Sequence, residues 1–144
     1  MSTRKGAKAV GARAQPKRDL KSLVERLYDA ILKADFVAMD KLLSPNFTYR
    51  TADGHLSRLE YMAMHEASRV GTSDWRIEAI SMTVQDDRAV DEVEISFTLD
   101  GKRFAGRYCS VCVFEDNQLY EMRSYGGVIP ESETTGYRPI WNRA

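Results

Sequence analysis

The run Ala89-Val90-Asp91-Glu92-Val93-Glu94-Ile95-Ser96-Phe97-Thr98-Leu99-Asp100-Gly101-Lys102-Arg103-Phe104-Ala105-Gly106-Arg107-Tyr108 decides the fold. Val93, Ile95, Phe97 and Leu99 alternate with Glu92, Glu94, Ser96 and Thr98, the period-two pattern of a strand with one buried face. Asp100-Gly101 then offers residues that tolerate the positive φ of a two-residue hairpin turn. The flanking chain repeats the pattern. Trp75–Gln85 reads as the preceding strand, turning at Asp86-Asp87. Lys102–Phe114 and Gln118–Val128 read as the next two, joined by Glu115-Asp116-Asn117. The second half of the chain is therefore a series of antiparallel hairpins.

Upstream the apolar spacing changes to three and four. Leu20, Leu23, Val24, Leu27, Ile31 and Leu32 mark a helix over 19–33. Asp35 caps a shorter helix over 36–43, with Phe36, Met39, Leu42 and Leu43 inward. Ser44-Pro45 stops it, because proline has no amide hydrogen for the helical ladder. A short strand is expected over 46–51, then turn chemistry at Ala52-Asp53-Gly54-His55. Ser57-x-x-Glu60 is a capping box opening a third helix to about Arg69, with Leu59, Met62, Ala63, Glu66 and Val70 as its buried stripe. Helices followed by antiparallel hairpins give an α+β class, with helices covering one face of a sheet.

The chain has 144 residues, enough for one domain and too few for two. No apolar run reaches the ~20 residues of a membrane-spanning helix, so no membrane partner is expected. Formal net charge is zero, but its distribution is uneven. Arg4, Lys5, Lys8, Arg13, Lys17 and Arg18 give residues 1–18 six basic groups and no acid. That stretch has no apolar periodicity and is read as a disordered basic tail. It lacks the apolar core of a secretory signal, and its scarcity of serine and poor amphipathic spacing set it apart from a transit peptide. The remaining 126 residues hold 15 basic against 21 acidic groups, which argues against nucleic acid as the ligand. The expected organisation is a tail over 1–18, a domain over 19–130 and an extension over 131–144.

Cys109 and Cys112 form a C-x-x-C spacing. Within a strand, residues three apart point to opposite faces, so the two sulfurs share neither a bond nor a metal. Zinc would need further ligands, and His55 and His65 are not at finger spacing. Two structural thiols in a reducing, cytoplasmic setting are expected, with no metal. The sequon Asn46-Phe47-Thr48 is discounted in the absence of a secretory signal.

The order helix, helix, short strand, helix, four long strands resembles the nuclear transport factor 2-like superfamily, which includes SnoaL-like polyketide cyclases, ketosteroid isomerases and limonene-epoxide hydrolases. Its residues here are Tyr28-x-Ala30 leading to Ala34-Asp35, then Leu42-Leu43-Ser44-Pro45-Asn46-Phe47, Asp53-Gly54, and the last strand Leu119-Tyr120-Glu121-Met122-Arg123-Ser124-Tyr125. The resemblance spans about 20–128. It implies a cone-shaped α+β barrel in which three helices pack into a strongly curved, mostly antiparallel sheet, leaving an apolar pocket at the open end. It also implies homodimerisation through the outer sheet face. Two chemistries of the superfamily do not carry over. The ketosteroid isomerase base falls on Thr51, its oxyanion-hole acid on Ser110 and its tyrosine on Leu27. The limonene-type aspartate falls on Ser124, with its second near Val93.

Strand parity indicates which side chains face the pocket. Phe104, Gly106, Tyr108, Ser110, Cys112 and Phe114 share one face; Tyr120, Met122 and Ser124 share another; Asp91 goes with Val93, Ile95 and Phe97. The expected substrate-binding set is Tyr108, Ser110, Cys112, Phe114, Met122, Ser124, Phe97 and Thr51. His65 is the candidate acid/base, because imidazole titrates near neutrality, and its alternative is a structural histidine at the flank of the third helix. Asp91 is its expected partner. Tyr49, Tyr108 and Tyr28 can donate to a developing oxyanion or serve as core aromatics with a polar tip. Asp53 and His55 are a second carboxylate–imidazole pair, or a solvated turn. Two functions follow: a cofactor-independent isomerase, cyclase or dehydratase acting on an apolar carbonyl or polycyclic molecule, or a non-catalytic ligand-binding or dimerisation module.

Overall fold

A computed structural model describes residues 17–129. The expected tail up to residue 16 and the extension over 131–144 lie outside the described residues. Lys17 and Arg18, assigned to the tail above, are instead the first residues of a helix.

Three helices and six strands make up the chain: α1 (Lys17–Leu32), α2 (Phe36–Leu42), β1 (Leu43–Thr51), β2 (Gly54–Ser57), α3 (Arg58–Ser68), β3 (Thr72–Gln85), β4 (Arg88–Leu99), β5 (Lys102–Glu115) and β6 (Gln118–Ile129). The sheet runs β2-β1-β6-β5-β4-β3. All neighbours are antiparallel except β1 and β6, which are parallel. The edge strands β2 and β3 do not pair, so the α+β cone is an open, mixed sheet and not a closed barrel.

The alternation of β4 is realised in its first half, where Ala89, Asp91 and Val93 are buried; Glu94–Leu99, including the expected Ile95, Phe97 and Leu99, are all half-buried. Asp100 (φ 51°) and Gly101 (φ 76°) make the β4–β5 turn with two positive φ values, and Asp116 and Asn117 do the same before β6. Leu20, Leu23, Val24, Leu27, Tyr28 and Ile31 form the buried stripe of α1 and pack with Met39, Leu43, Phe47, Phe114 and Leu119 in one core. Each such side chain contributes about 1.5–3 kcal/mol of burial. The capping box at α3 is present: Ser57 Oγ accepts from Glu60 N at 3.2 Å, and Ser57 N donates to Glu60 Oε1 at 2.9 Å.

Two boundaries differ from the sequence reading. β1 begins at Leu43, so Ser44-Pro45 lies inside a strand. The β1–β6 register is irregular between Leu43 and Thr48, and there the missing amide hydrogen of proline costs no ladder bond. Gly54–Ser57 forms a four-residue strand where only a turn was expected. The stripe expected for α3 is also wrong. Leu59 and Val70 are 76% and 79% exposed, whereas Tyr61 is buried.

Candidate active site

α3 turns Tyr61, His65 and Ser68 inward, three residues at helical spacing, so His65 lies on the inner face and not at the flank. Tyr61 anchors this face. Its ring packs edge-on to Phe47 at 5.0 Å and to His65 at 4.5 Å, and lies tilted 4.9 Å from Tyr49. Its hydroxyl reaches Met122 Sδ at 3.8 Å. These contacts hold the imidazole against the wall of a cavity of about 300 Å³.

The cavity runs along the strands. Phe97 pairs with Phe104, Ile95 with Gly106, Val93 with Tyr108 and Asp91 with Ser110 across β4 and β5. Six residues of β5 separate Phe104 from Ser110, about 20 Å at ~3.3 Å per residue. At the mouth Trp75 stacks on Phe97 at 4.6 Å, and Phe97 stacks on Phe104 at 5.8 Å. Arg69 lies 4.4 Å over the Trp75 ring and donates to the carbonyls of Ile31 and Leu32 at the end of α1. Val128, 74% exposed, forms the β6 side of the mouth.

The other end is polar. Tyr28 of α1 lines the cavity and donates its hydroxyl to Asp91 Oδ2 at 2.5 Å. Asp91 is 1% exposed and does not itself line the cavity. Ser110 and Ser124, directly paired across β5 and β6, share a hydrogen bond at 3.0 Å. Two buried polar atoms around the cavity have no partner in hydrogen-bond geometry, Asp91 Oδ1 at this end and His65 Nε2 on the α3 wall.

Burial sets the protonation states. It pushes the Asp91 carboxyl up to about 6, while Tyr28 and the nearby Ser110 pull back toward the charged form. It pulls His65 down to about 4, helped by the Arg69 charge, so the imidazole is neutral at neutral pH. The Tyr28 hydroxyl is raised well above its ordinary range, first by burial and then by Cys112 and Asp91. Cys112 is raised in the same way and stays a thiol.

Of the expected site residues, His65, Tyr49, Tyr108, Ser110, Met122, Ser124 and Phe97 line this one cavity. Asp91 stands behind Tyr28 and Ser110. Cys112 and Phe114 face inward as strand parity requires, but below the cavity, where they belong to the helix-packing core. Thr51, at the end of β1 opposite Gly54, lies off the cavity. His55 is exposed on β2. The sequence reading missed Tyr61, Ser68 and Trp75 as wall residues and Tyr28 as the partner of Asp91. The helical spacing 61, 65, 68 was the available signal for the first two. Gly106 also has a local role: a Cβ there would lie 2.6 Å from the Tyr108 ring, which folds back over it. Among the described residues no group of three or more His, Cys, Asp or Glu side chains is placed to hold a metal ion.

The fold recurs in solved structures. AclR from Streptomyces galilaeus, for which a hydroxylase activity has been suggested, superposes with a TM-score of 0.71 at 18% identity, over 77% of this chain and 90% of that one. An LEH-like epoxide hydrolase from M. tuberculosis gives 0.69 at 13% identity, over 76% and 84%. IdmH from Streptomyces antibioticus, for which a polyketide cyclase role has been suggested, gives 0.66 at 12% identity, over 74% and 90%. At these identities the likeness is one of fold. No curated protein matches the sequence. The SnoaL-like domain model matches residues 24–122, and the chain belongs to the SnoaL-like domain family.

Proposed function

We propose that the cone binds an apolar small molecule bearing a carbonyl, often polycyclic, and moves a proton on it without a cofactor, as an isomerase, cyclase or dehydratase does. One observation carries this reading: neutral His65, its Nε2 unpartnered, and Tyr28, its hydroxyl bonded to the Asp91 carboxyl behind it, line the same largely apolar cavity. A carboxyl with a pKa of about 6 is close to the value a general acid/base needs at neutral pH. Asp91 is sealed, so its proton passes through Tyr28. The phenol oxygen takes a proton from the substrate while its own proton moves to Asp91 Oδ2. His65 is the second acid/base group, at the α3 wall. Tyr49 and Tyr108 donate to the oxygen on which negative charge develops. Aromatic walls and few polar groups suit a flat apolar body.

A second reading is binding without turnover. It is favoured by the Thr51, Ser110 and Ser124 replacements and by the depth of Asp91. Under either reading the exposed outer face of the sheet, with Val90, Cys109 and Tyr125, is the surface for a second copy of the chain. The acidic domain takes no nucleic acid, and the protein acts in the cytoplasm away from membranes. Among the described residues no helix is long and apolar enough to cross one.

The test is deuterium exchange α to the carbonyl, followed by NMR across a panel of cyclic ketones and polyketide fragments. Exchange above the buffer rate, lost by 10²–10⁴-fold in Asp91→Asn, is expected. Ketones that bind but do not exchange would leave the binding module.

A further inference from the structure

The cavity, read above as the ligand site, has an uneven charge pattern. Seven aromatic side chains line it, and no Lys, Arg, Asp or Glu side chain does. Its one histidine is neutral. Directly behind Tyr28 and Ser110 stands the buried carboxyl of Asp91, with one oxygen unpartnered. Tyrosine rings with a carboxylate behind them, and no inward cation, form an environment that attracts positive charge.

We propose that the cavity selects ligands carrying a positively charged nitrogen, a protonated or quaternary amine on an apolar body, held at the Asp91 end against Tyr28. The proposal rests on the ligand-site reading and adds a charge to the substrate class. Arg69 opposes it only at the mouth, where its guanidinium covers Trp75 and is tied to the carbonyls of Ile31 and Leu32. The apolar body then lies along the Trp75–Phe97–Phe104 stack.

The titratable groups around the Asp91 end are few. Tyr28 on α1, Tyr61 on α3, and Tyr108 and Cys112 on β5 are all pushed upward and stay neutral through pH 5–7.5. His65 on α3 is neutral over the same range, and Arg69 keeps its charge. Asp91 alone among them changes charge there, near pH 6.

The test compares phenyltrimethylammonium with its uncharged isostere tert-butylbenzene as competitors of the neutral dye N-phenyl-1-naphthylamine. At pH 7.5 the cation should displace the dye at about tenfold lower concentration. The preference should vanish at pH 5 and in Asp91→Asn. Equal affinities at pH 7.5, or a preference that survives both changes, would overturn the charge selection. Equal affinities would leave the ligand-site reading intact, whereas no binding of dye or competitors would remove both. If Asp91→Asn does not fold, the pH 7.5 and pH 5 pair on the unaltered protein decides alone.

Discussion

The two ends of the cavity are built on different physics. At the mouth, Trp75, Phe97 and Phe104 stack side by side and are only partly buried, so they shape the cavity through dispersion and area. At the other end, Tyr28, Asp91, Ser110 and Ser124 sit in the core, each polar atom held by few partners. Burying a carboxyl there costs stability that an apolar residue would not, and the same burial raises its pKa to about 6. The mouth therefore tolerates change, whereas the deep end carries the stability cost of its buried polar groups.

The largest expected effect comes from pH. Asp91 titrates at about 6 in the fold against an ordinary 3.8, so its contribution to stability is full below pH 4 and lost as pH rises through 6. His65 runs the other way. At about 4 against 6.5, its contribution is full above pH 6.5 and lost as pH falls through 4. Each amounts to about 3 kcal/mol, and between pH 4 and 6 the two slopes oppose. Urea unfolding of the unaltered protein should give a nearly level stability over that window. Asp91→Asn should lose stability as pH falls from 6.5 to 4, and His65→Gln should gain it. Level profiles for both variants would break the contrast between the two ends.

Tyr28→Phe comes next. It leaves the Asp91 carboxylate without its hydrogen-bond donor, for a loss of about 1–3 kcal/mol at pH 7.5. The same change should move the Asp91 pKa above 6, readable as a shifted pH dependence of stability. Gly106→Ala drives a methyl group into the Tyr108 ring, which must swing into the cavity. A loss of about 1–3 kcal/mol and at least tenfold weaker dye binding are expected, since overpacking costs about that much. The smallest effect is at the mouth. Phe97→Ala removes the middle of the aromatic stack for about 1 kcal/mol of stability, with weaker binding of flat ligands and no change in the Asp91 titration.

Much of the fold was legible because its signals are local. The Asp100-Gly101 turn, the capping box and the alternation of β4 each lie within a dozen residues and act on their own backbone. β2 escaped because four residues carry too little periodicity to separate a strand from a turn. Pro45 misled because its placement depends on an irregular register with β6, a partner more than seventy residues away. The site divides along the same line. Strand parity placed Tyr108, Ser110, Ser124 and Phe97 on the correct face, but parity does not say how deep along the strand the cavity ends, so Cys112 and Phe114 were included. On α3 the apolar Leu59 and Val70 pulled the stripe to the solvent side, because the inner face of a cavity helix is partly polar. The Tyr28–Asp91 bond joins residues 63 apart and leaves no local trace.

The central claim is that the deep end holds a proton-exchanging carboxyl and not merely a structural one. Its most direct test is a carbon-detected NMR titration of the Asp91 carboxyl in the unliganded protein, with Tyr28→Phe as the comparison. A midpoint near 6 that moves higher in Tyr28→Phe is predicted. A midpoint at or below 4, unmoved by that substitution, would contradict the account.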